Sequence, residues 1–406
     1  MKTIILKNYF NYKLPLRGLA YNNKANMTHQ KKDIKISIIC PWFYWGDAVG
    51  HSANDSYKAF KNLGYEKVKA IGTRCDFKEL DFIQCNNHQE LKTNQWFIES
   101  DLVIYHFAIF HELFEILRNN KLNGKHIICF HNVTPKHLMP ENTWGIIDKS
   151  FEQISVFKNA HGIWSDSLEN TEELQRHGVN LPYTIELPIA VDRPPIFSLA
   201  NKPKKRIDLV YIGRFFSSKG LLDLIEAISL VKQNCPINFL LRLTGNTDFS
   251  DKAYISEINS KIKLHGLGEH VYFAGKVDNN TLFKIYNDSH IFVTASYHEG
   301  FCVPVIESLR AGLVPVTYNA GNLVRIGGGF GRTVETGNTK LLANAIQETI
   351  IGISEGLHDN IKCCISTDNG LKTINDLSKD MTNYSLKFNF ENYTSKIEAA
   401  IDFLFN

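Results

Sequence analysis

The chain has 406 residues, 44% of them hydrophobic and 21% charged, with a net charge of +3. That length suits two domains, and the composition is that of an ordinary soluble globular protein. The charge is too small, and the Lys/Arg runs too short, for a nucleic-acid-binding arm, so nucleic acid is excluded as a partner. No apolar stretch is long enough to span a bilayer. The eight cysteines show no zinc-ligand spacing, and the adjacent Cys363 and Cys364 suit neither a zinc site nor an easy disulfide. Cys40 and Cys129 sit inside apolar runs as small core residues. This usage fits a reducing compartment, hence the cytoplasm.

Residues 1–33 are basic, polar and rich in Asn. They read as a disordered leader, with a membrane-surface arm as the second reading. Charge interrupts Met1 to Lys7 too early for a signal peptide, and Met27 is an alternative start. Residues 34–40 read as a buried parallel strand. The turn Gly46-Asp47-Ala48-Val49-Gly50 follows, then a helix over roughly 52–63 capped by Gly64. Further strands are expected at 102–105, 125–130 and 161–165, with helices at 111–119 and 167–177. The second strand of these delivers His131-Asn132-Val133-Thr134-Pro135 at its end. Alternating strands and helices imply a parallel sheet covered on both faces.

The polar, proline-rich segment 192–206 reads as a linker between domains. A second α/β run begins at 207. Its strands are expected at 207–212, 238–243, 271–273, 291–295 and 314–317, and its helices at 220–233, 251–265 and 340–351. Residues 327–329, three glycines, read as a turn. The last segment, 390–404, is an amphipathic helix.

Two constellations carry chemistry. In Gly213-Arg214-Phe215-Phe216-Ser217-Ser218-Lys219-Gly220 a strand ends, a loop follows and a helix begins. A planar guanidinium at Arg214 and a point charge at Lys219 suit two phosphates. A solvated basic loop is the bland alternative. In Glu299-Gly300-Phe301-Cys302-Val303-Pro304-Val305-Ile306-Glu307, two carboxylates flank a turn that opens a helix. Strand, Gly turn and helix aim backbone N–H groups at an anion. Carboxylates accept hydrogen bonds from vicinal diols, so one could hold a ribose and the other a hexose. His131 reads either as a donor to a transferred sugar or as a structural histidine; His106 and His111 carry less weight. No dinucleotide fingerprint, Walker A loop or D-x-D triplet is present.

Taken together, these motifs resemble glycosyltransferase family 4, retaining transferases of the GT-B fold. The resemblance runs over roughly 207–350 and includes 271–275 and 311–316, while the first part is similar to a bacterial branch through Gly46 to Gly50, Tyr105-His106 and His131 to Pro135. It implies an α/β protein with two Rossmann-like domains facing across a cleft. The implied domains are an acceptor domain at 34–191, a donor domain at 207–385 and a helix at 386–406 crossing back to the first domain.

It also implies roles. Arg214 and Lys219 hold the donor diphosphate, Glu307 the ribose, and Glu299 the donor sugar, with His131 touching that sugar from the other domain. Gly46, Asp47 and Gly50 pass close to the diphosphate, and Gly213, Gly300, Phe301, Cys302 and Val303 line the donor site. Cys302 stands where the family usually has glycine, which matters if that position needs a positive φ. The expected activity is retaining, metal-independent transfer of a hexose from a GDP- or UDP-linked sugar, with no other cofactor. The acceptor is a saccharide or lipid-linked saccharide of surface glycan synthesis, such as lipopolysaccharide, O-antigen or capsule. Work at the cytoplasmic face of the inner membrane would follow. The alternatives are an inactive sugar-nucleotide-binding subunit and an epimerase or phosphorylase of the same fold.

Overall fold

A computed structural model describes residues 33–119, 121–248, 250–359 and 364–405. The leader expected at 1–33, apart from Asp33, lies outside the described residues, as do Met27 and Cys363. The chain divides into two compact units. The first comprises residues up to Val133, Gly145–Ala190 and Phe390–Asn406; the second comprises Thr134–Trp144 and Val191–Asn389.

The first unit holds a seven-stranded sheet of β1 (Ile36–Ile39), β2 (Val68–Gly72), β3 (Phe82–Gln84), β4 (Leu102–Phe107), β5 (Lys125–Phe130), β6 (Gly162–Ser165) and β7 (Tyr183–Glu186). The spatial order is β3-β2-β1-β4-β5-β6-β7, every pair parallel. All six residues of β4 are buried, as a strand covered on both faces requires. Helix α1 (Ala48–Asn62) and the C-terminal helix Phe390–Phe405 bury Ala53, Phe60, Tyr393, Ile397 and Ile401 in one core with β1. The Tyr183 hydroxyl donates to the Ala400 carbonyl (2.7 Å), fixing the C-terminal helix to β7.

The helix expected at 111–119 is a 3₁₀ segment, Glu112–Arg118. Its buried residues, Leu113, Phe114, Ile116 and Leu117, repeat every third position. That spacing stacks side chains on a three-residue turn, which a 3.6-residue turn would splay.

The second unit holds a six-stranded parallel sheet of β8 (Ile207–Ile212), β9 (Phe239–Thr244), β10 (Val271–Gly275), β11 (Ile291–Thr294), β12 (Val314–Tyr318) and β13 (Arg332–Val334), ordered β10-β9-β8-β11-β12-β13. Around it lie α2 (Leu221–Asn234), α3 (Val303–Arg310), α4 (Thr339–His358) and α5 (Ile374–Ser385). Residues 327–329 form a turn, with φ of +60° at Gly328 and +72° at Gly329. In both units the sheet grows outward from its first strand in two directions. The point where the order reverses lies between β1 and β4, and between β8 and β11. Open α/β sheets of this order bind ligands there, beyond the carboxyl ends of the strands.

The proposed linker at 192–206 is instead packed into the second unit. Arg310 Nε donates to the Pro194 carbonyl (2.7 Å), and Leu199 is fully buried. Lys202 is buried too; its ammonium donates to the Tyr286 carbonyl (2.6 Å), and burial pulls its pKa down to about 7. The prolines that suggested a loose tether shape a strap that carries its own anchors.

Candidate active site

The loop after β8 is held from beneath. The Gly213 N–H donates to the Thr244 carbonyl (3.0 Å), and a Cβ on Gly245 would stand 1.8 Å from the Gly213 oxygen. The Tyr211 hydroxyl donates to the Arg214 carbonyl (2.7 Å), and Phe215 is fully buried. With its backbone fixed on both sides, Arg214 turns its side chain outward. The guanidinium is exposed and lies over the Phe216 ring, 5.5 Å from its centroid.

A short turn, Ser217–Lys219, then ends at Gly220, which has a φ of +61°. A Cβ there would stand 2.0 Å from the Ala295 carbonyl oxygen, so glycine lets this turn press against the end of β11. The Tyr297 N–H donates to the Ser218 carbonyl (2.8 Å). Asp223, in the first turn of α2, accepts from the hydroxyls of Tyr297 (2.5 Å) and Tyr318 (2.9 Å). These bonds lock the loops after β8 and β11 together, and the result is an ion pair. Lys219 Nζ lies 2.7 Å from Glu299 Oε1, with the side chains 22% and 13% exposed.

Glu299 is held through its main chain as well. The Asn322 N–H donates to the Glu299 carbonyl (3.0 Å), an approach that Gly321, at φ +54°, leaves room for. Gly300 leads to Phe301, which is buried and packs 6.0 Å from the Phe388 ring. Cys302 caps α3 with φ +70° and ψ +69°, a left-handed conformation. The sequence therefore keeps a Cβ where the backbone favours glycine, at a cost of roughly 1–2 kcal/mol. Burial pushes the Cys302 thiol well up, so it is no thiolate nucleophile. Val303 opens α3, whose first-turn N–H groups carry the positive end of the helix dipole. One turn on, Glu307 accepts from the Tyr286 hydroxyl (2.7 Å). Burial raises its pKa, while the Tyr286 bond and the Arg193 charge pull the other way.

The first unit treats its expected residues differently. Asp47 caps α1, its carboxylate accepting from the Gly50 N–H (2.9 Å). A Cβ on Gly50 would stand 2.7 Å from the Tyr44 nitrogen, so this glycine serves the fold of its own loop. Gly46, at φ +80°, has open space where a Cβ would sit. His131 is not a surface group: its side chain is 3% exposed and both ring nitrogens are bonded. Nδ1 meets Asp166 Oδ2 at 2.7 Å and Nε2 meets His106 Nδ1 at 2.9 Å. The free donor expected for a sugar is thus absent from this arrangement. Sequence reasoning passed over Asp166, Asp223, Tyr286 and Tyr297. Asp166 had a readable signal, since it directly follows β6.

What the second unit offers is a cation pair, a helix N-terminus and two carboxylates along one connected set of loops. That set can bind an anion and polar hydroxyls at once.

Known proteins resemble this chain in family motif and in fold. Residues 192–352 match the family model described as glycosyl transferases group 1. The mannosylfructose-phosphate synthase of Agrobacterium fabrum is 28% identical over 145 residues, 35% of this chain and 30% of that protein. The GDP-mannose:cellobiosyl-diphosphopolyprenol alpha-mannosyltransferase of Xanthomonas oryzae is 25% identical over 34% of this chain and 36% of that one. The chain thus spans about a third of the length of the curated relatives it matches. Among solved structures, the sucrose-phosphate synthase of Thermosynechococcus elongatus superposes with a TM-score of 0.70 at 18% identity, covering 92% of this chain and 99% of that one. Anabaena HepE, in complex with UDP and glucose, gives 0.67 at 16%, covering 91% and 99%. The chain therefore has the GT-B fold of two Rossmann-like units, and its residues 192–352 match the glycosyl transferases group 1 family model.

Proposed function

We propose that the protein is a retaining glycosyltransferase that moves a hexose from a nucleotide-diphosphate sugar to a saccharide or lipid-linked saccharide acceptor. The observation that carries this reading is the Lys219–Glu299 pair at the reversal point of the second sheet, on the loop that also bears the exposed Arg214. Both loops lie inside the segment matched to the glycosyl transferases group 1 family. The relatives include a mannosyltransferase acting on a diphosphopolyprenol-linked saccharide and an O-antigen chain mannosyltransferase. Those names support an acceptor of surface-glycan chemistry. A lipid-linked acceptor would put the reaction at the cytoplasmic face of the inner membrane. No described helix is long and apolar enough to cross a membrane.

In this reading the donor diphosphate competes with Glu299 for Lys219. Its arrival frees the Glu299 carboxylate for the sugar hydroxyls. Arg214 swings from the Phe216 ring onto the phosphates. The C1–O bond to the diphosphate breaks with charge accumulating on the leaving group. Each cation about 4 Å away contributes a Coulomb attraction of roughly 4 kcal/mol at an effective dielectric near 20. Arg214, Lys219 and the first-turn N–H groups of α3 together supply that charge without a metal. The acceptor hydroxyl attacks C1 on the face the phosphate leaves, and its proton departs with the phosphate, so the configuration is retained. Glu307 accepts hydrogen bonds from the donor ribose.

The test is thermal stability with UDP, GDP, ADP and their hexose conjugates, on wild type and Arg214→Ala. A ligand at about 100 times its dissociation constant stabilises by roughly 2.7 kcal/mol. The expected outcome is a shift with one nucleotide that Arg214→Ala abolishes, together with release of that nucleotide when acceptor is added. A protein that no nucleotide stabilises, or an equal shift in the variant, overturns the assignment.

A further inference from the structure

The first unit buries an unbroken polar chain that the donor-site reading does not use. It runs from Asp166, after β6, through His131, after β5, and His106, in β4, to Ser56, in α1, and Tyr393, on the C-terminal helix. The four links measure 2.7, 2.9, 3.2 and 2.7 Å. The two imidazole planes are nearly parallel, 16° apart, and the Nδ1–Nε2 link joins them. His106 and Ser56 are completely buried. Five residues from five separate elements meet here, and each link satisfies a group that would otherwise be costly to bury.

Chemistry at the two ends gives the chain a direction. The Asp166 carboxylate can only accept, so His131 donates through Nδ1–H. At the far end a phenol is a stronger acid than an aliphatic alcohol, so Tyr393 donates to Ser56. Burial holds His106 well below the ordinary histidine range, so it carries a single N–H. Ser56 then donates to His106 Nε2, and His106 Nδ1–H donates to His131 Nε2. The reversed chain would need a second N–H on His131.

We propose that His106, Ser56 and Tyr393 are positioning residues that, with Asp166, hold His131 as the Nδ1–H tautomer with Nε2 turned inward, so that the C-terminal helix sets the state of the loop after β5. That loop is itself tightly shaped. Asn132 sits at φ +73° and its side-chain amide donates to Asn170 Oδ1 (2.8 Å). Fixing the His131 ring fixes where the backbone at 131–133 lies. The proposal rests on the transferase reading for its effect on turnover, and on nothing but the chain of bonds for its effect on the histidines.

The experiment uses the full chain labelled with ¹⁵N-histidine, in two-bond ¹H–¹⁵N spectra at neutral pH, with His131 and His106 assigned by His131→Gln and His106→Gln. Both residues are expected as single Nδ1–H tautomers. A His131 signal showing hydrogen on Nε2 overturns the direction. Tyr393→Phe keeps the ring and removes the terminal donor. It is expected to move the His131 Nε2 resonance three links away and to lower kcat on the order of tenfold with the donor KM unchanged. Should that variant be poorly folded, Ser56→Ala breaks the chain one link closer. His131 resonances unmoved in a folded variant mean that Tyr393 only packs, and overturn the proposal. The spectra need no turnover, so failure of the transferase reading would show separately, as a wild type that transfers nothing.

Discussion

The two sheets share one strand order about their first strand, yet the residues beyond their reversal points are treated in opposite ways. In the second unit, Lys219 and Glu299 keep 22% and 13% of their side chains exposed and bond to each other alone at 2.7 Å among the described contacts. In the first unit, His131 and Asp166 keep 3% and 6%, and every link leads further inward. Topology supplies the same opening twice; the amount of water left at it decides what each can do. A partly exposed ion pair can trade one partner for an incoming anion. A buried chain can only hold its members in place.

The sharpest way to break this contrast is to delete one charge on each side. Lys219→Ala is expected to lower transfer by about 10²-fold or more, as loss of one charge-stabilising donor does, with the unfolding midpoint nearly unmoved. Steady-state kinetics and a melting curve read both. Asp166→Ala leaves the His131 Nδ1–H without its acceptor in a dry site. It is expected to cost about 2 kcal/mol in urea unfolding, far more than the lysine change. Equal effects of the two on stability would mean that the buried and exposed sites do not differ as described.

Smaller effects sharpen the second unit's side. Cys302→Gly relieves a left-handed residue but adds freedom to the unfolded chain, so a net gain of up to about 1 kcal/mol is expected by denaturant titration. A loss would mean that the Cβ packs better than its backbone costs. Folding raises the Glu307 carboxyl above its ordinary 4.5, so burial favours the protonated form. Stability from this group is then full at low pH and declines as pH rises from that ordinary value through the raised one. Glu307→Gln cannot titrate yet still accepts from Tyr286. Its stability relative to wild type should climb across that window and level off above it, and a flat difference would contradict a carboxyl held out of water.

The second unit's site was legible because its parts are short runs. Arg214 to Gly220 and Glu299 to Glu307 each span one loop, and a strand-to-helix turn fixes where such residues point. The first unit's chain was not, because its members stand at 56, 106, 131, 166 and 393 and meet only through tertiary packing. The sequence left His131 between a sugar donor and a structural histidine because nothing nearby in sequence names its partners. Gly50 has a packing role that its sequence context did not reveal, since a Cβ there would meet the Tyr44 nitrogen. The segment at 192–206 misled through composition: proline and lysine suggested solvent, but Leu199 and Lys202 are buried. The positive φ at Cys302 is a backbone property that a cysteine disguises and a glycine would have announced.

The C-terminal helix contributes Tyr393, Ile397, Ala400 and Ile401 to a core whose other buried members lie between Ile36 and Leu187. A ribosome therefore releases most of the first unit's strands long before the helix that closes over them. During that interval β1 and α1 present an uncovered apolar face, while the second unit is synthesised in between. The first half of this protein waits for the last, and a nascent chain of this kind is one that chaperones would meet with its oldest part still open.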